Sequence, residues 1–289
     1  MLNWPDTGSK RENAMLRLGR MNSLPVLRMD DKGAWLDAAD YGQVFLPGSQ
    51  VPEGTQVGDD ISLFAYLDGD GILEVSNQKP KGQVGEFVGL KVISASRFGA
   101  FLDWGLKKDL FVPLREQQKP MQEGKTYVVS IYLDRESRTV ATSRLDHYLS
   151  IEMPPYQQWE EVDVLVVDRT DLGFKVIVDK KFWGLIFASD VFGHLRIGQE
   201  TKGYVKRLHE DGKLDIMLNK PGQAGRDDAS EKIMSRLQKA GGFLPVGDKS
   251  SPELIYSQFG MSKGAFKKAI GGLYKQGLIS IDEAGIRLN

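Results

Sequence analysis

The sequence contains no cysteine and only three histidines among its 289 residues. The absence of cysteine excludes disulfides and thiol chemistry and is typical of a reducing compartment, so we expect a cytoplasmic protein. The histidines His147, His194 and His209 are widely separated, which leaves little material for a histidine metal site or a Ser-His-Asp triad. We therefore expect no metal and no cofactor.

Long apolar segments are also missing. No run of about 18 uninterrupted apolar residues is present, so we expect no membrane span and no membrane partner. The first fifteen residues lack the apolar core and the cleavage pattern of a signal peptide, and we expect residues 1–15 to form an N-terminal extension. The motifs GxxxxGK[ST] and HExxH are absent as well. These absences favour a binding protein over an enzyme.

The net charge is only −1, but it is unevenly distributed along the chain. Residues 14–80 have a net charge of −5, residues 81–150 of +3, residues 151–222 of −2 and residues 223–289 of +3. A phosphate responds to the local potential within a Debye length of about 8–10 Å. The second and fourth segments are therefore the better candidates for nucleic-acid contact, although differences of this size also arise by chance.

Three segments of roughly 65–70 residues repeat one order of features. Each has an apolar strand, a glycine-containing second strand, an apolar run and a final pair of strands. The glycine-containing strands are GAWLDA (33–38), FGAFLD (98–103) and LGFKVIVD (172–179). Five short strands rich in Val, Ile, Phe and Tyr are what a small closed barrel requires. The sequence predicts three such barrels in series, at 16–80, 81–150 and 151–222.

The C-terminal segment, residues 223–289, predicts helices followed by a hairpin. Ser230 is a candidate N-cap for a first helix that ends at Gly241-Gly242, and SSPELIYSQF (250–259) begins a second helix with a cap and a proline. The third helix has one buried stripe, formed by Phe266, Ile270 and Leu273. LISID and IRL predict the hairpin, which completes the plan of a winged helix-turn-helix.

The second segment resembles an S1 domain, an RNA-binding module of the OB-fold class, in GLKVISASRFGAFLDWG (89–105) and YLDRESRTVATS (132–143). The third segment follows the same frame, and the first resembles a degenerate copy. Together with the tail DKSSPELIYSQFGMSKGAFKKAIGGLYKQGLI (248–279), the chain is similar to the conserved virulence factor B family of bacterial RNA-binding proteins. The resemblance implies a multidomain, mainly β fold of three S1-like OB-fold barrels followed by an α+β winged-helix domain, and a role in gene expression.

The resemblance also implies a ligand face on barrel 2. The aromatics of the S1 pattern match Phe98 and Phe101, which would face opposite sides of a regular strand. We expect Gly99 to permit a bulge that brings both rings to one exposed face; the alternative is that one ring fills the core. Nearby positive charge is expected from Lys91, Arg97, Lys107 and Lys108, although each could simply be solvated.

The later hairpin of barrel 2 matches the S1 pattern at Asp134 and Arg138. Arg138 can bind a phosphate or stack on a base. Asp134 either accepts from a base or ribose hydroxyl or bonds its own backbone as a turn residue. The histidine of the S1 pattern is missing, and we assign its place to Leu46, Val112 and Phe187. Of these, Phe187 could still stack on a base.

In barrel 3, we expect basic residues to contact the ligand in place of stacking aromatic rings. Its aromatic positions hold Leu172 and Lys175, with Phe174 between them as a core candidate. We expect phosphate contacts, which position a ligand without specifying sequence, from Lys175, Lys206, Arg207 and Lys213. His209 takes the place of Asp134, and a lone exposed histidine is more often incidental than a pH switch.

Barrel 1 has Lys32 and Trp35 at the aromatic positions and Ile72 at the place of Arg138. Because residues 14–80 have a net charge of −5, barrel 1 should repel phosphates. We predict weak or absent RNA binding by barrel 1 and a scaffolding or protein-interaction role instead.

The third predicted helix carries lysines that lie off its buried stripe: Lys263, Lys267, Lys268 and Lys275. It lacks the Arg, Asn and Gln set that reads bases in a major groove, which favours non-specific RNA contact or packing against the barrels. The expected partner is RNA, with single strands preferred. Two alternatives remain open, a DNA-binding regulator that acts through the winged helix and a protein scaffold.

Overall fold

A computed structural model describes residues 15–191, 194–218 and 223–289. The chain divides into two compact units, residues 1–147 and 148–289. The first unit contains barrels 1 and 2, and the second contains barrel 3 and the winged-helix domain. Almost all of the predicted N-terminal extension lies outside the described residues. None of the described helices is long and apolar enough to cross a membrane.

Barrel 1 is a five-stranded antiparallel sheet in the order β3-β2-β1-β4-β5. Its strands are β1 (Arg20–Asp30), β2 (Gly33–Asp37), β3 (Gln43–Pro47), β4 (Asp60–Leu67) and β5 (Leu73–Ser76). The sequence predicts a closed barrel, but β3 and β5 are the two edges of this sheet. Just beyond these edges, the Asn77 side-chain amide donates to the Gln50 carbonyl oxygen at 2.8 Å. Barrel 1 is thus nearly closed.

Barrels 2 and 3 are closed barrels with the same strand order. The strands of barrel 2 are β6 (Phe87–Ala95), β7 (Gly99–Asp103), β8 (Leu110–Pro113), β9 (Thr126–Leu133) and β10 (Thr139–Thr142). Those of barrel 3 are β11 (Glu161–Arg169), β12 (Gly173–Val178), β13 (Phe182–Phe187), β14 (Glu200–Leu208) and β15 (Leu214–Met217). A parallel pairing closes each barrel, β8 with β10 and β13 with β15.

The first strand of every barrel has a register irregularity at the same place. It lies between Val26 and Arg28 in β1, between Val92 and Ser94 in β6, and between Val166 and Asp168 in β11. A short 3-10 turn also follows the third strand in each barrel, at Gly48–Gln50, Leu114–Glu116 and Ala188–Asp190. The three segments are therefore structural repeats, as their order of sequence features predicts.

Barrels 1 and 2 share a core through β4. Residues Leu63 to Leu67 are all buried, because one face of β4 fills barrel 1 and the other packs against barrel 2. Phe64 is fully buried, and its ring lies edge-on to Trp104 of barrel 2, with centroids 5.5 Å apart. The Val84 amide also donates to the Gly19 carbonyl oxygen at 2.9 Å. These contacts fix the two barrels relative to each other.

The winged-helix domain consists of α1 (Gln223–Lys239), α2 (Pro252–Phe259) and α3 (Lys263–Lys275) with a three-stranded sheet. The sheet contains β16 (Phe243–Leu244), β17 (Ile279–Ile281) and β18 (Ile286–Leu288). Ser251 caps α2 by accepting from the Leu254 amide, and the stripe of Phe266, Ile270 and Leu273 is buried, as predicted. The prediction for α1 was wrong, since the helix begins before Ser230, which lies inside it and is not the N-cap.

Candidate nucleic-acid interface

Two phenylalanines of β7 and β8 form a ring pair at the surface of barrel 2. Phe101 and Phe111 are direct cross-strand partners, and their ring centroids lie 5.0 Å apart. Phe101 is 40% exposed and Phe111 is half-buried. Phe98 is 68% exposed, and the Arg97 guanidinium carbon lies 4.7 Å from the centroid of its ring. Both rings of the FGAF element are therefore exposed and neither fills the core. That the two rings serve one ligand face stays a prediction.

The predicted bulge at Gly99 is absent from β7, and the glycine has another role. Phe98 precedes β7, and the irregularity lies on the neighbouring strand β6, so no bulge at Gly99 is needed. A Cβ at position 99 would lie 2.3 Å from the Val112 carbonyl oxygen and 2.6 Å from the ring of Phe111. Glycine is required because β7 and β8 approach each other closely at this point.

The hairpin between β9 and β10 holds Arg138 in one orientation. The Arg138 side chain donates to Asp134 Oδ2 through Nε at 2.9 Å and through Nη2 at 2.7 Å, and Nη1 lies 2.8 Å from Glu136 Oε2. Asp134 Oδ1 accepts from the Glu136 and Arg138 amides. Burial alone would raise the pKa of Asp134, but these hydrogen bonds lower it. Asp134 is therefore a turn residue that orients Arg138.

Lys108 was predicted to belong to a positive groove, and the structure gives it another role. Its Nζ lies 2.5 Å from Asp68 Oδ2 and 3.2 Å from Glu74 Oε1, both on barrel 1. The hydrogen bond to Asp68 raises the pKa of Lys108. Its carbonyl oxygen also accepts from Trp104 Nε1 at 2.6 Å. Because both carboxylates belong to barrel 1, Lys108 joins the two barrels, and it would have to leave these partners to contact a phosphate.

The other predicted cations of barrel 2 are exposed. Lys91 lies opposite Asp103 on the neighbouring strand, and Lys107 lies in the loop after β7. Neither lines the groove beside the ring pair, whereas Arg115 and Arg138 do. Arg115 was missed by the sequence reasoning, and so were Phe111 and Tyr132, which line the same groove. The alternation of LFVP, with Phe111 pointing outward between buried Leu110 and Val112, is a signal that could have found Phe111.

The assignment of the missing S1 histidine was wrong by one residue in two barrels. Leu46 and Val112 are fully buried and cannot face a ligand. The register pairs Gly33 with Pro47, Gly99 with Pro113, and Gly173 with Phe187. Phe187 therefore corresponds to the two prolines. Leu46 and Val112 lie one residue earlier and face the core, because side chains alternate between the faces of a strand.

The cations of barrel 3 are largely engaged with neighbouring groups. Lys206 Nζ lies 2.8 Å from Asp190 Oδ2 and 5.6 Å from the ring centroid of Phe187, and Lys213 Nζ lies 2.5 Å from Asp211 Oδ2. Lys175 Nζ lies 3.6 Å from the ring centroid of Trp183. Arg207 is exposed, and Phe174 packs against the core. His209 Nε2 lies 3.0 Å from Asp215 Oδ2. The paired lysines would have to leave these partners to contact phosphate.

Barrel 1 retains a ring pair at the corresponding place. Trp35 and Phe45 are cross-strand partners with centroids 5.2 Å apart. The guanidinium carbon of Arg28 lies 4.3 Å from the Trp35 ring centroid. Arg28 therefore occupies a face of the ring on which a base would stack.

On the winged helix, Lys267, Lys268 and Lys275 are exposed and Lys263 is half-buried. The wing between β17 and β18 carries Asp282 and Glu283, and Glu283 Oε1 lies 3.7 Å from Lys249 Nζ. A Cβ at Gly271 or Gly272 of α3 would meet open space. The lysines and the acidic wing thus present opposite charges on one small domain.

Among the described residues, no group of three or more His, Asp or Glu side chains could hold a metal ion. The surface of barrel 2 consists of the ring pair, Arg115 and Arg138, and the carboxylates that position Arg138. Such a surface can stack flat rings and pair with an anion.

The strand order, the parallel closing pairs and the C-terminal domain define a class of protein: tandem S1-type OB-fold barrels joined to a winged helix. A family model for the S1 domain matches residues 18–78 and 84–144, and a model for the CvfB-like winged helix domain matches residues 231–288. The first match includes the barrel that the sequence indicates to be degenerate. Barrel 3 lies outside both S1 ranges, although it has the strand order of barrel 2.

The chain is similar over most of its length to conserved virulence factor B proteins, and its C-terminal domain matches the CvfB-like winged helix model. A conserved virulence factor B from Staphylococcus haemolyticus is 26% identical over 281 residues, covering 94% of this chain and 94% of the relative. One from Staphylococcus aureus strain USA300 is 29% identical over 252 residues, covering 81% and 80%. The crystal structure of a multidomain protein with nucleic acid binding domains from Streptococcus pneumoniae TIGR4 is 24% identical and covers 94% of this chain and 98% of that chain, with a TM-score of 0.45.

Proposed function

We propose that the chain binds unpaired RNA through the exposed face of barrel 2, and that the winged-helix domain adds weak, non-specific contacts. The observation that carries this proposal is the surface ring pair of Phe101 and Phe111 beside the oriented Arg138. The protein acts on gene expression after transcription, in the cytoplasm, as a binding protein and not as an enzyme.

The ring pair favours single strands over duplexes. Bases in a duplex are covered by their neighbours, whereas an unpaired base can place its face on an exposed ring. Each such contact is worth about 1–3 kcal/mol and tolerates any base, because every base has an aromatic face. A protein that uses Phe101 and Phe111 in this way binds without strong sequence preference.

Arg138 supplies hydrogen-bond donors beside the rings. It uses three of its N–H groups on Asp134 and Glu136, which leaves two of the five guanidinium N–H groups for a phosphate. Because the side chain is already held in place, little conformational entropy is lost when a phosphate binds. Arg97 beside the exposed Phe98 offers a second ring and cation on barrel 2, outside the groove lining.

The surface of the winged-helix domain favours non-specific contacts with phosphates over sequence-specific recognition of DNA. A DNA regulator of this type presents its third helix to the major groove and its wing to the phosphate backbone. Here α3 offers lysines without a base-reading set, and Asp282 and Glu283 on the wing would repel phosphates. The lysines alone can attract any phosphate chain.

The test is binding of an unstructured RNA oligomer and of a duplex of equal length to the full chain, measured by fluorescence anisotropy over a salt series. Phe101→Ala should weaken single-strand binding by about 1–3 kcal/mol, roughly 5- to 150-fold, because a stacking ring is lost. Tyr41→Ala is the matched control, since Tyr41 is 39% exposed and Phe101 is 40% exposed.

A different outcome would favour the DNA-regulator alternative. In that case the duplex binds more tightly than the single strand, Lys267→Glu causes the larger loss and Phe101→Ala changes little. A protein scaffold is favoured instead if neither nucleic acid binds at low salt. Loss of single-strand binding in Phe101→Ala alone supports the proposal.

A further inference from the structure

A groove of about 580 Å³ runs between barrel 1 and the ring face of barrel 2. Barrel 2 contributes its ring pair and Arg138 to the lining, together with Tyr132. The other wall belongs to barrel 1 and consists of residues 66–69, at the end of β4 and in the turn that follows. The groove therefore has two walls from two barrels that pack together in one unit.

The barrel 1 wall is held rigidly against barrel 2. Tyr66 is almost fully buried, and its ring lies edge-on to that of Trp104 with centroids 5.8 Å apart. The Asp68 carboxylate accepts from the Asp70 and Ile72 amides at 2.9 Å each and from Lys108. The Trp104 side chain in turn donates through Nε1 to the carbonyl oxygen of Lys108. The turn, the loop after β7 and the Trp104 ring thus form one connected network.

From this arrangement we infer that the groove is a composite pocket for a single unpaired nucleotide, with barrel 1 supplying one wall. The base stacks on the Phe101 and Phe111 rings, residues 66–69 enclose its other side, and its phosphate lies toward Arg115 or Arg138. This inference rests on the proposed function and extends the binding site to a barrel whose own charge disfavours RNA.

The size and chemistry of the groove fit this ligand. Its volume lies within the range of about 300–1,000 Å³ that is usual for small-molecule sites. Aromatic rings form much of its apolar lining, and Arg115 and Arg138 supply donors for a phosphate. The lining also contains three carboxylates, those of Asp68, Asp109 and Asp134. A nucleotide has the same division into a flat base and an anionic phosphate. A protein surface with a ring pair alone, by contrast, would leave one face of the base in water.

Gly69 offers a way to obstruct the groove from the barrel 1 side. It lies in the groove wall, its φ is not in the left-handed region, and a Cβ at this position would meet no atom within 4 Å. Gly69→Leu therefore places a bulky side chain at the wall without backbone strain and without a change of charge. Ser62→Leu is the matched control, because Ser62 is exposed on β4 and does not line the groove.

The experiment measures binding of a single-stranded RNA oligomer by the full-length wild type, Phe101→Ala, Gly69→Leu, the Gly69/Phe101 double variant and Ser62→Leu. Thermal unfolding of each variant verifies that it is folded. If Gly69→Leu hinders the base that stacks on Phe101, it should weaken binding by about tenfold, and the double variant should lose much less than the product of the two single losses. Ser62→Leu should bind as the wild type does.

The outcomes separate the two ideas. If Phe101→Ala weakens binding while folded Gly69→Leu binds normally, the composite pocket is wrong and the proposed function stands. Multiplicative losses in the double variant also overturn the composite pocket, since the two positions then act on different parts of the RNA. If the wild type does not bind the oligomer at all, the proposed function and the composite pocket are both wrong.

Discussion

Barrels 1 and 2 carry ring pairs at the same structural position, yet the surroundings of the two pairs differ. The Trp35 and Phe45 centroids lie 5.2 Å apart in barrel 1, and those of Phe101 and Phe111 lie 5.0 Å apart in barrel 2. Arg28 covers the pair of barrel 1 at 4.3 Å from the Trp35 centroid. The pair of barrel 2 opens onto a groove.

The hairpins between the last two strands show the same contrast. Asp68 and Asp134 each accept from backbone amides of their own turn. In barrel 2, Asp134 holds Arg138 four residues later, whereas Ile72 occupies that place in barrel 1. Asp68 instead binds Lys108 of the other barrel. One hairpin therefore holds its own arginine beside the groove, and the other joins the two barrels.

The comparison teaches that the repeats keep the same backbone geometry while the functions of their surface side chains differ. In each barrel, a Cβ on the glycine of the second strand would lie within 2.3 Å of a carbonyl oxygen of the third strand, because the two strands approach each other closely there. The neighbouring surface side chains are free to change, since they do not contribute to the core. Barrel 3 extends this pattern with lysines that pair with its own carboxylates.

The largest expected effect concerns the conserved geometry of the glycine. A Cβ would lie 2.3 Å from a carbonyl oxygen at Gly99 and 2.1 Å at Gly33, so alanine at either position should destabilise its barrel by about 3 kcal/mol. Gly271→Ala in α3 is the control and should gain up to about 1 kcal/mol, because its Cβ would meet open space. Chemical unfolding measures both. A tolerated Gly33→Ala beside a damaging Gly99→Ala would break the equivalence of the two barrels.

A smaller effect is expected from the link between the barrels. The hydrogen bond from Lys108 lowers the pKa of Asp68 below the usual 3.8. The Asp68 carboxylate therefore stabilises the fold above that pH, and this contribution is lost as the pH falls through the lowered pKa. Asp68→Asn should therefore reduce the melting temperature at pH 7, and the difference from wild type should shrink below about pH 4.

Asp70→Asn serves as the control for this experiment, because Asp70 is an exposed carboxylate of the same turn. Its melting temperature should follow that of the wild type across the pH range. A difference between Asp68→Asn and wild type that persists unchanged down to pH 2 would show that the charge of Asp68 is not what joins the barrels.

The smallest effect is expected from the ring pair of barrel 1. Trp35→Ala should leave the affinity for single-stranded RNA within about twofold of wild type, because Arg28 occupies the ring and residues 14–80 have a net charge of −5. The anisotropy assay used for Phe101→Ala measures this directly. Equal losses in the two variants would mean that both barrels bind RNA through their rings.

Much of the fold could be predicted from local patterns. The order of apolar runs and glycines predicts the three barrels, and Ser251 with Pro252 marks the start of α2. The exposed Phe98 and Phe101 follow from the FGAF element, because its spacing with Gly99 matches the S1 pattern. These features depend on residues close together in the sequence, which is where such patterns are informative.

The rest of the site depends on residues that are distant in the sequence. Phe111 joins Phe101 only through strand pairing, and a shift of one residue in register misplaced the histidine position at Val112. The role of Lys108 was missed because its partners Asp68 and Glu74 lie more than thirty residues away, on another barrel. The apolar residues Leu63 to Leu67 indicate a strand buried on both faces, but they do not identify what covers it.

The sequence by itself determined the number of barrels and the winged helix, because strand periodicity, turn glycines and helix caps act over a few residues. Only the tertiary structure decided which charged groups face the solvent and which join two barrels. The physical reason is that an ion pair such as that of Lys108 with Asp68 depends on the distance between charges, which packing sets. The groove beside Phe101 exists for the same reason, since its two walls come from separate barrels.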